Sequence, residues 1–270
     1  MVHILQRYKG GDCDILSNKE KRMVGVGFPR NNFNRIRGAD DLKIYQVVMY
    51  IKQHVGLYDM LITSLKTIAE ESGYSANTHN NEFFDPFKKA LLYLIEEEYI
   101  TADMDISTVR NTYFRIQLTT KKNLFYTDKP FVFLSFYEYE KILAANTRVS
   151  KSSLLGVYLY IKQFIDSESD TKVSYPTKYK IEKALKISNT TVESCISVLA
   201  QIGLITVSTG FYVKNKKNNT FIPTRNVFFI GKVEIDVSMC KEILKSIYSS
   251  TVYAKEELED KQISYLRKLK

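Results

Sequence analysis

Tyr50-Ile51-Lys52-Gln53 recurs as Tyr160-Ile161-Lys162-Gln163, 110 positions further along the chain. The surroundings recur with it. Residues 23–28 read as a strand ended by Pro29, and 31–37 as a short helix. Asp40 or Asp41 then caps a helix over 42–54 with Ile44, Val47, Val48 and Ile51 inward. In the second half 131–134 read as a strand and 137–145 as a short helix, and Ser152 or Ser153 caps a helix over 154–165. The first half continues with a short helix over 64–72, a helix over 87–97 with Phe87, Leu91, Leu94 and Ile95 at core spacing, and strands opening at 99–100 and over 112–118. An internal repeat of about 105–110 residues constrains the fold more than any composition does, because each repeat must be one structural unit.

In the second half the matching stretch is 176–225. Ile181, Ala184 and Leu185 form one face of a short helix, and Ile187-Ser188 is a turn. Asn189 or Thr190 caps the next helix, since their side-chain oxygens can accept the free amides of its first turn. Val192, Cys195, Ile196, Leu199 and Ile202 then recur at helical spacing. Gly203 ends that helix, and Leu204-Ile205-Thr206-Val207 continues as a strand. The first half carries Ile68 to Ser75 in the same pattern, with Gly73 in the turn and an insertion over 75–82.

The run from Lys183 to Ile205 resembles the helix-turn-helix of winged-helix regulators and replication initiators. The shared positions are Ala184, Leu185, Ile187, Ser188, Thr191, Val192, Leu199, Gly203, Leu204 and Ile205. Lys186 stands where the pattern usually has Gly, a residue that tolerates positive φ at little cost, so a less tight turn is expected here. The resemblance implies an α+β, predominantly helical chain of two winged-helix domains in tandem plus a helical C-terminal tail. The divisions are an arm (1–22), domain 1 (23–120), a linker (121–130), domain 2 (131–232) and the tail (233–270). In the tail Met239, Ile243, Leu244, Ile247 and Tyr248 form one apolar stripe, and a second, charged helix is expected from about Val252.

The charge is unevenly spread. Residues 136–232 carry 14 basic and 7 acidic side chains, a net of +7 out of +9 for the chain, while 41–135 carry 10 and 12. A positive field concentrates polyanions. The helix over 87–97 runs into Glu96-Glu97-Glu98, a poor face for phosphates. The division of labour expected is a second domain that reads double-stranded DNA and a first that serves dimerisation or scaffolding. Lys66, Lys88, Lys89, Arg110 and Arg115 are the candidates for an auxiliary contact from the first.

In winged-helix geometry the second helix of the motif enters the major groove. With Val192, Ile196 and Leu199 inward, its outer side carries Thr190, Ser194, Ser197 and Gln201, with Thr191 and Glu193 near the amino end. Gln can read adenine bidentately, Glu can accept from cytosine, and hydroxyls pair with bases or phosphates. That helix has no Lys or Arg, so phosphate charge is expected from Lys178, Lys180, Lys183 and Lys186 before it and from Lys214, Lys216, Lys217 and Arg225 on the wing. Tyr175, Tyr179 and Tyr212 are weaker candidates for stacking.

Enzyme signatures are not found in the sequence. There is no Gly-x-x-x-x-Gly-Lys loop, and Gly25-Val26-Gly27 is too short for a dinucleotide fingerprint. His3, His54 and His79 have no metal-ligand spacing with the cysteines. No catalysis and no cofactor are expected. Cys13, Cys195 and Cys240 are odd in number and far apart, which reads as reduced thiols in a cytoplasm-like compartment, nucleoid-associated when DNA is bound. The first residues turn polar too soon for a secretory signal, and no apolar run approaches the roughly 20 residues of a membrane span. The expected function is sequence-specific duplex binding, as a plasmid or phage replication initiator. A transcriptional regulator of the same build and a winged-helix protein-interaction adaptor are the alternatives. A homodimer through domain 1 or the tail stays open.

Overall fold

The halves share a core order of strand, helix, strand, helix, helix, strand, strand, to which the second adds a helix and two strands. The computed structural model describes residues 17, 20, 24–29, 36–56, 58–74, 84–109, 112–125, 130–165, 173–215 and 220–258. The first half runs β1 (Gly25–Pro29), a 3-10 turn (Ala39–Leu42), α1 (Lys43–His54), β2 (Met60–Thr63), α2 (Leu65–Glu71), α3 (Asp85–Glu96), β3 (Ile100–Ala102) and β4 (Phe114–Leu118). The second runs β5 (Phe131–Ser135), α4 (Phe136–Ala144), α5 (Lys151–Lys162), β6 (Val173–Ser174), α6 (Lys178–Leu185), α7 (Asn189–Gln201), β7 (Ile205–Ser208), β8 (Phe211–Lys214), β9 (Phe221–Pro223) and β10 (Val227–Ile230). The tail adds α8 (Val237–Tyr248), β11 (Val252–Ala254) and a 3-10 turn, Lys255–Glu257. The arm apart from residues 17 and 20, most of the expected 31–37 helix, the 75–82 insertion and the tail beyond 258 lie outside the described residues.

The class is mixed, which corrects the predominantly helical expectation. The structure is 46% helix and 21% strand, with eight α-helices and four small antiparallel sheets among the described residues. Strands of two to five residues are too short to display a period-two pattern, and their partners are distant in sequence. The second tail helix expected from about Val252 is likewise corrected. Val252-Tyr253-Ala254 is a strand that pairs with Val213-Tyr212-Phe211 of β8. Its β-branched and aromatic residues suit that edge.

The caps also differ from expectation. The 3-10 turn replaces an Asp cap at α1, and Asp41 instead accepts from the Arg37 amide at 2.7 Å. Ser150, one turn earlier than Ser153, caps α5 by accepting from the Ser153 amide at 3.1 Å. Ser188 caps α7 by accepting from the Thr191 amide at 3.1 Å, so neither Asn189 nor Thr190 does so. Each of these segments offers several hydroxyls, and the backbone path selects one.

One three-stranded sheet in each half has the same topology. In the first half the order is β2-β4-β3 and in the second β6-β10-β7. The register pairs Ala102 with Ile116 and Val207 with Phe228. Backbone conformations match too. Gly73 and Lys186 both hold positive φ (85° and 53°) after the first helix of the pair, and Glu98 and Gly203 (60° and 70°) after the second. The turn at Lys186 is therefore as sharp as a glycine turn. Left-handed backbone costs a residue with a side chain about 1–2 kcal/mol, of which glycine's extra freedom in the unfolded chain returns roughly 0.5–1. Lys186→Gly is expected to raise the unfolding free energy by about 0.5–1 kcal/mol, read as a higher urea midpoint at unchanged slope.

The halves share one apolar core. α5 packs on α7, on α1 and on the 3-10 turn before α1. Gly156 makes the last contact: a Cβ there would lie 2.9 Å from Leu42 Cδ2. β1 and β5 pair antiparallel from Gly25↔Ser135 to Pro29↔Phe131, so the strand that opens each repeat joins the two. A polar cluster crosses the same boundary. The buried Lys43 ammonium donates to Ser152 Oγ at 3.2 Å and sits 3.6 Å from the Tyr74 ring centroid. Tyr74 Oη also donates to Gln46 Oε1, and Gln46 Nε2 to the Ser72 carbonyl at 2.9 Å. Burial holds the Lys43 ammonium below its usual range, against the opposing influence of Tyr74 and Asp40.

The described part of the tail packs mainly against one apolar surface. Phe211, Val213, Val227, Phe229, Cys240, Leu244, Val252 and Ala254 form a second apolar cluster. It lies on the outer face of the β10 sheet and on β8, with α8 and β11 as its cover. Asp236 starts α8 by accepting from the Ser238 and Met239 amides. The corresponding positions on β4, by register, are Arg115 and Gln117 in place of Val227 and Phe229. A polar outer face offers nothing for such a helix to bury against.

Candidate nucleic-acid interface

The site is built from α6, its turn and α7. Thr177 caps α6 by accepting from the Lys180 amide at 3.2 Å, and Ile181 and Leu185 are fully buried. Val192, Cys195, Ile196 and Leu199 anchor α7 to the core. Burial pushes the Cys195 thiol up to about 12, so it acts as a core side chain and not as a nucleophile. Fixing four inward positions on a 3.6-residue period determines which side chains face out. Thr190, Glu193, Ser197 and Gln201 are exposed, with Thr191 and Ser194 partly covered.

Two of these candidates already have partners. The Thr191 hydroxyl lies 2.8 Å from Ser188 Oγ, within the cap. The Glu193 carboxylate accepts from Lys178 Nζ, a pair that ties the start of α6 to the first turns of α7. Thr190, Ser194, Ser197 and Gln201 thus make up the hydroxyl and amide surface, and Glu193 is tethered beside it. At the other end of α7, Lys141 of α4 donates to the Ile202 carbonyl at 3.3 Å, which places a cation at the negative end of the helix.

The basic candidates fall into two groups. Lys180, Lys183 and Lys186 are exposed on α6 and in the turn. Lys183 Nζ lies 5.4 Å from the centroid of the exposed Tyr179 ring. Lys178 is partly covered and engaged with Glu193. Lys214 is exposed at the end of β8, opposite Phe221. Arg225 lies between β9 and β10, and its backbone N–H donates to Tyr248 Oη of α8 at 2.9 Å, so it belongs to the junction with the tail. Lys216 and Lys217 lie outside the described residues. Tyr175 is exposed, whereas Tyr212 is partly covered and opposite Tyr253.

The first half offers a different surface. Its α3 buries Phe87, Ala90, Leu91 and Leu94 at the positions of Val192, Cys195, Ile196 and Leu199. Lys88 and Lys89 occupy the places of Glu193 and Ser194. Lys88 donates to the Ser107 carbonyl at 3.3 Å, Lys66 pairs with Glu70 at 3.9 Å and Arg115 with Asp103 at 4.0 Å. The acidic end of α3 is compensated: Glu97 pairs with Lys122 at 3.4 Å and Glu98 with Lys121. The hydrogen bond from Lys121 holds the exposed Glu98 carboxyl below its usual range. Arg110 lies outside the described residues.

Sequence reasoning missed the Lys178–Glu193 pair and the tail's place beside β8. Fifteen residues separate the first two, so only the helix crossing brings them together. Val252-Tyr253-Ala254 read as the start of a charged helix, because nothing in the local sequence indicates the partner strand that makes it β11. Among the described residues no group of three or more His, Cys, Asp or Glu side chains is arranged to hold a metal, and no helix is long and apolar enough to cross a membrane. No protein-family model matches the chain, and no curated protein matches it.

Proposed function

We propose that the chain is a sequence-specific double-stranded DNA-binding protein built from two winged helix-turn-helix units, of which the second reads the duplex. Its biological role on this reading is initiation of plasmid or phage replication, with transcriptional regulation as the companion role open to the same architecture. The observation that carries the reading is the outward side of α7. It offers Thr190, Ser194, Ser197 and Gln201 on a helix anchored by a buried stripe, next to exposed Lys180, Lys183 and Lys186. Uncharged donors and acceptors for base edges, flanked by cations for phosphates, is the division that duplex recognition uses. Further support comes from the element order helix, strand, helix, helix, strand, strand and from the shared sheet order of both halves. In the first half the acidic end of α3 and the engagement of Lys66, Lys88 and Arg115 within the protein favour a supporting role.

The test is fluorescence anisotropy on duplexes drawn from around the protein's own coding region, with a shuffled duplex as control, across a salt series. Nanomolar binding to one fragment, well above the control and falling steeply with salt, is the expected result. Lys180→Ala, Lys183→Ala and Lys186→Ala combined should make the log–log salt slope shallower by about 2–3, since each phosphate contact contributes about 0.9. Gln201→Ala should lower discrimination between fragment and control by about 1–3 kcal/mol, the range for a bidentate base contact, and leave the slope unchanged. No binding at low salt sinks the reading.

Two observations favour the adaptor alternative. The Lys178–Glu193 pair cancels one of the cations closest to α7, and the exposed Tyr175 and Tyr179 suit a protein surface. Lys216→Ala with Lys217→Ala separates the two: an unchanged DNA affinity with a lost protein partner selects the adaptor.

A further inference from the structure

We infer that the C-terminal tail is a structural part of the wing, and that Leu244 and Val252 are positioning residues for duplex binding by the second half; this rests on the DNA-binding reading above. β8 and β9 alone would be a two-stranded hairpin, which is marginal in water. β11 adds a third strand, with Val252 opposite Val213, Tyr253 opposite Tyr212 and Ala254 opposite Phe211. α8 then seals the apolar side. Leu244 and Cys240 are fully buried against Phe211, Val227 and Phe229.

Three polar contacts fix the same unit. Tyr248 Oη accepts from the Arg225 amide at 2.9 Å, Lys241 pairs with Glu257, and Glu257 accepts from the Ala254 amide at 2.8 Å. Lys214 stands on the strand that β11 supports, so the aim of this cation is set by the tail. The comparison between halves identifies which unit the tail serves. Arg115 and Gln117 stand where Val227 and Phe229 create the docking surface, so the described part of the tail covers the half that carries α7 and its flanking lysines.

The arrangement separates two jobs that affinity alone does not distinguish. α7 determines which duplex is chosen, and the wing with its tail determines how firmly the backbone is held. Weakening the tail should therefore change the salt slope and leave the preference for one duplex intact.

The experiment uses the full chain, with Leu244→Ala, anisotropy against the preferred and shuffled duplexes across salt, and amide hydrogen exchange on the same samples. The expected result is at least tenfold weaker binding to both duplexes, a shallower salt slope, an unchanged ratio between them, and lost protection in β8 with α5–α7 still protected. Val213→Cys with Val252→Cys, opposed in the register, should restore both affinity and slope in the Leu244→Ala chain once the disulfide forms. Unchanged affinity and slope alongside lost β8 protection overturns the inference. So does loss of protection in α5–α7 as well, which would make the tail a prop for the whole half. A wild-type chain that binds no duplex overturns the DNA-binding reading and takes this inference with it.

Discussion

Gly25→Val is expected to lower the unfolding free energy by about 3 kcal/mol, the upper part of the usual range for overpacking. A Cβ at residue 25 would lie 1.9 Å from the Leu134 carbonyl oxygen, 2.7 Å from the Leu134 carbonyl carbon and 2.7 Å from Ser135 Cα. All three are backbone atoms, so no rotamer change relieves the clash. β1 must withdraw from β5, and Val24, Val26 and Phe28, buried beneath that pairing, lose their cover. Gly27→Ala is the internal control. The three atoms nearest its Cβ all belong to the Phe131 ring, the first at 2.9 Å, and a ring can turn aside. Urea unfolding should show a large fall in midpoint for the first variant and under about 1 kcal/mol for the second. Equal midpoints for Gly25→Val and wild type would show that the paired strands do not hold the halves together.

Lys162→Met is expected to cost about 3–5 kcal/mol at neutral pH, the range for removing one partner of a buried pair. Lys162 Nζ lies 2.6 Å from Glu138 Oε1, with both side chains less than one-fifth exposed. Tyr158 Oη donates to the same oxygen at 2.6 Å, and the Ser135 amide donates to Oε2 at 2.9 Å as part of the capping box of α4. Burial by itself pushes the Glu138 carboxyl up. Lys162, Tyr158 and the Ser135 amide together outweigh it and hold the carboxyl below its usual range.

The consequence for pH has a definite sign. A carboxyl with a depressed folded pKa contributes stability that is fully present above the unfolded value, about 4.3 for Glu, and is lost as pH falls through the folded value. In the wild type this group therefore favours folding at neutral pH and withdraws its support in acid. Without Lys162 the burial effect remains with less to oppose it. The variant should lose most at neutral pH and converge toward the wild type below about pH 4, where the carboxyl is neutral in both. Urea midpoints from pH 3 to 7 check this. A constant difference across that range would show that Lys162 acts through packing of its stem and not through its charge.

The equivalent lysine in the first half behaves differently. Lys52 occupies the same place in its Tyr-Ile-Lys-Gln run, yet its ammonium lies 4.6 Å from the Phe125 ring centroid. Tyr50, the counterpart of Tyr160, shares a 2.6 Å hydrogen bond with Thr63 Oγ1, and burial pushes its hydroxyl up to about 12. The repeat preserves the helix and its place, while Lys52 lies over the Phe125 ring and Lys162 beside the Glu138 carboxylate.

Much of the candidate site was legible from spacing alone. Once Val192, Ile196 and Leu199 are assigned inward, a 3.6-residue helix leaves Thr190, Ser197 and Gln201 nowhere to point but outward, and that is where they stand. The cap was less legible, because Ser188, Asn189 and Thr190 are all good candidates and sequence cannot choose among neighbours. The strand content was underestimated because β6 has two residues and β3, β9 and β11 have three. Such segments are strands only because a partner strand receives their hydrogen bonds.

The sequence by itself determined the repeated order of helices, the buried stripe of α7 and the concentration of positive charge around it. These are local or additive properties: periodicity acts over a turn or two of helix, and charge is a sum. Tertiary structure alone decided that β1 joins β5 across the boundary between halves, that Lys178 holds Glu193, and that Val252-Tyr253-Ala254 completes the sheet of β8 and β9 instead of continuing as a helix. Each is a pairing between segments distant in the chain. Its free energy depends on which two surfaces meet, and no local window of sequence contains both.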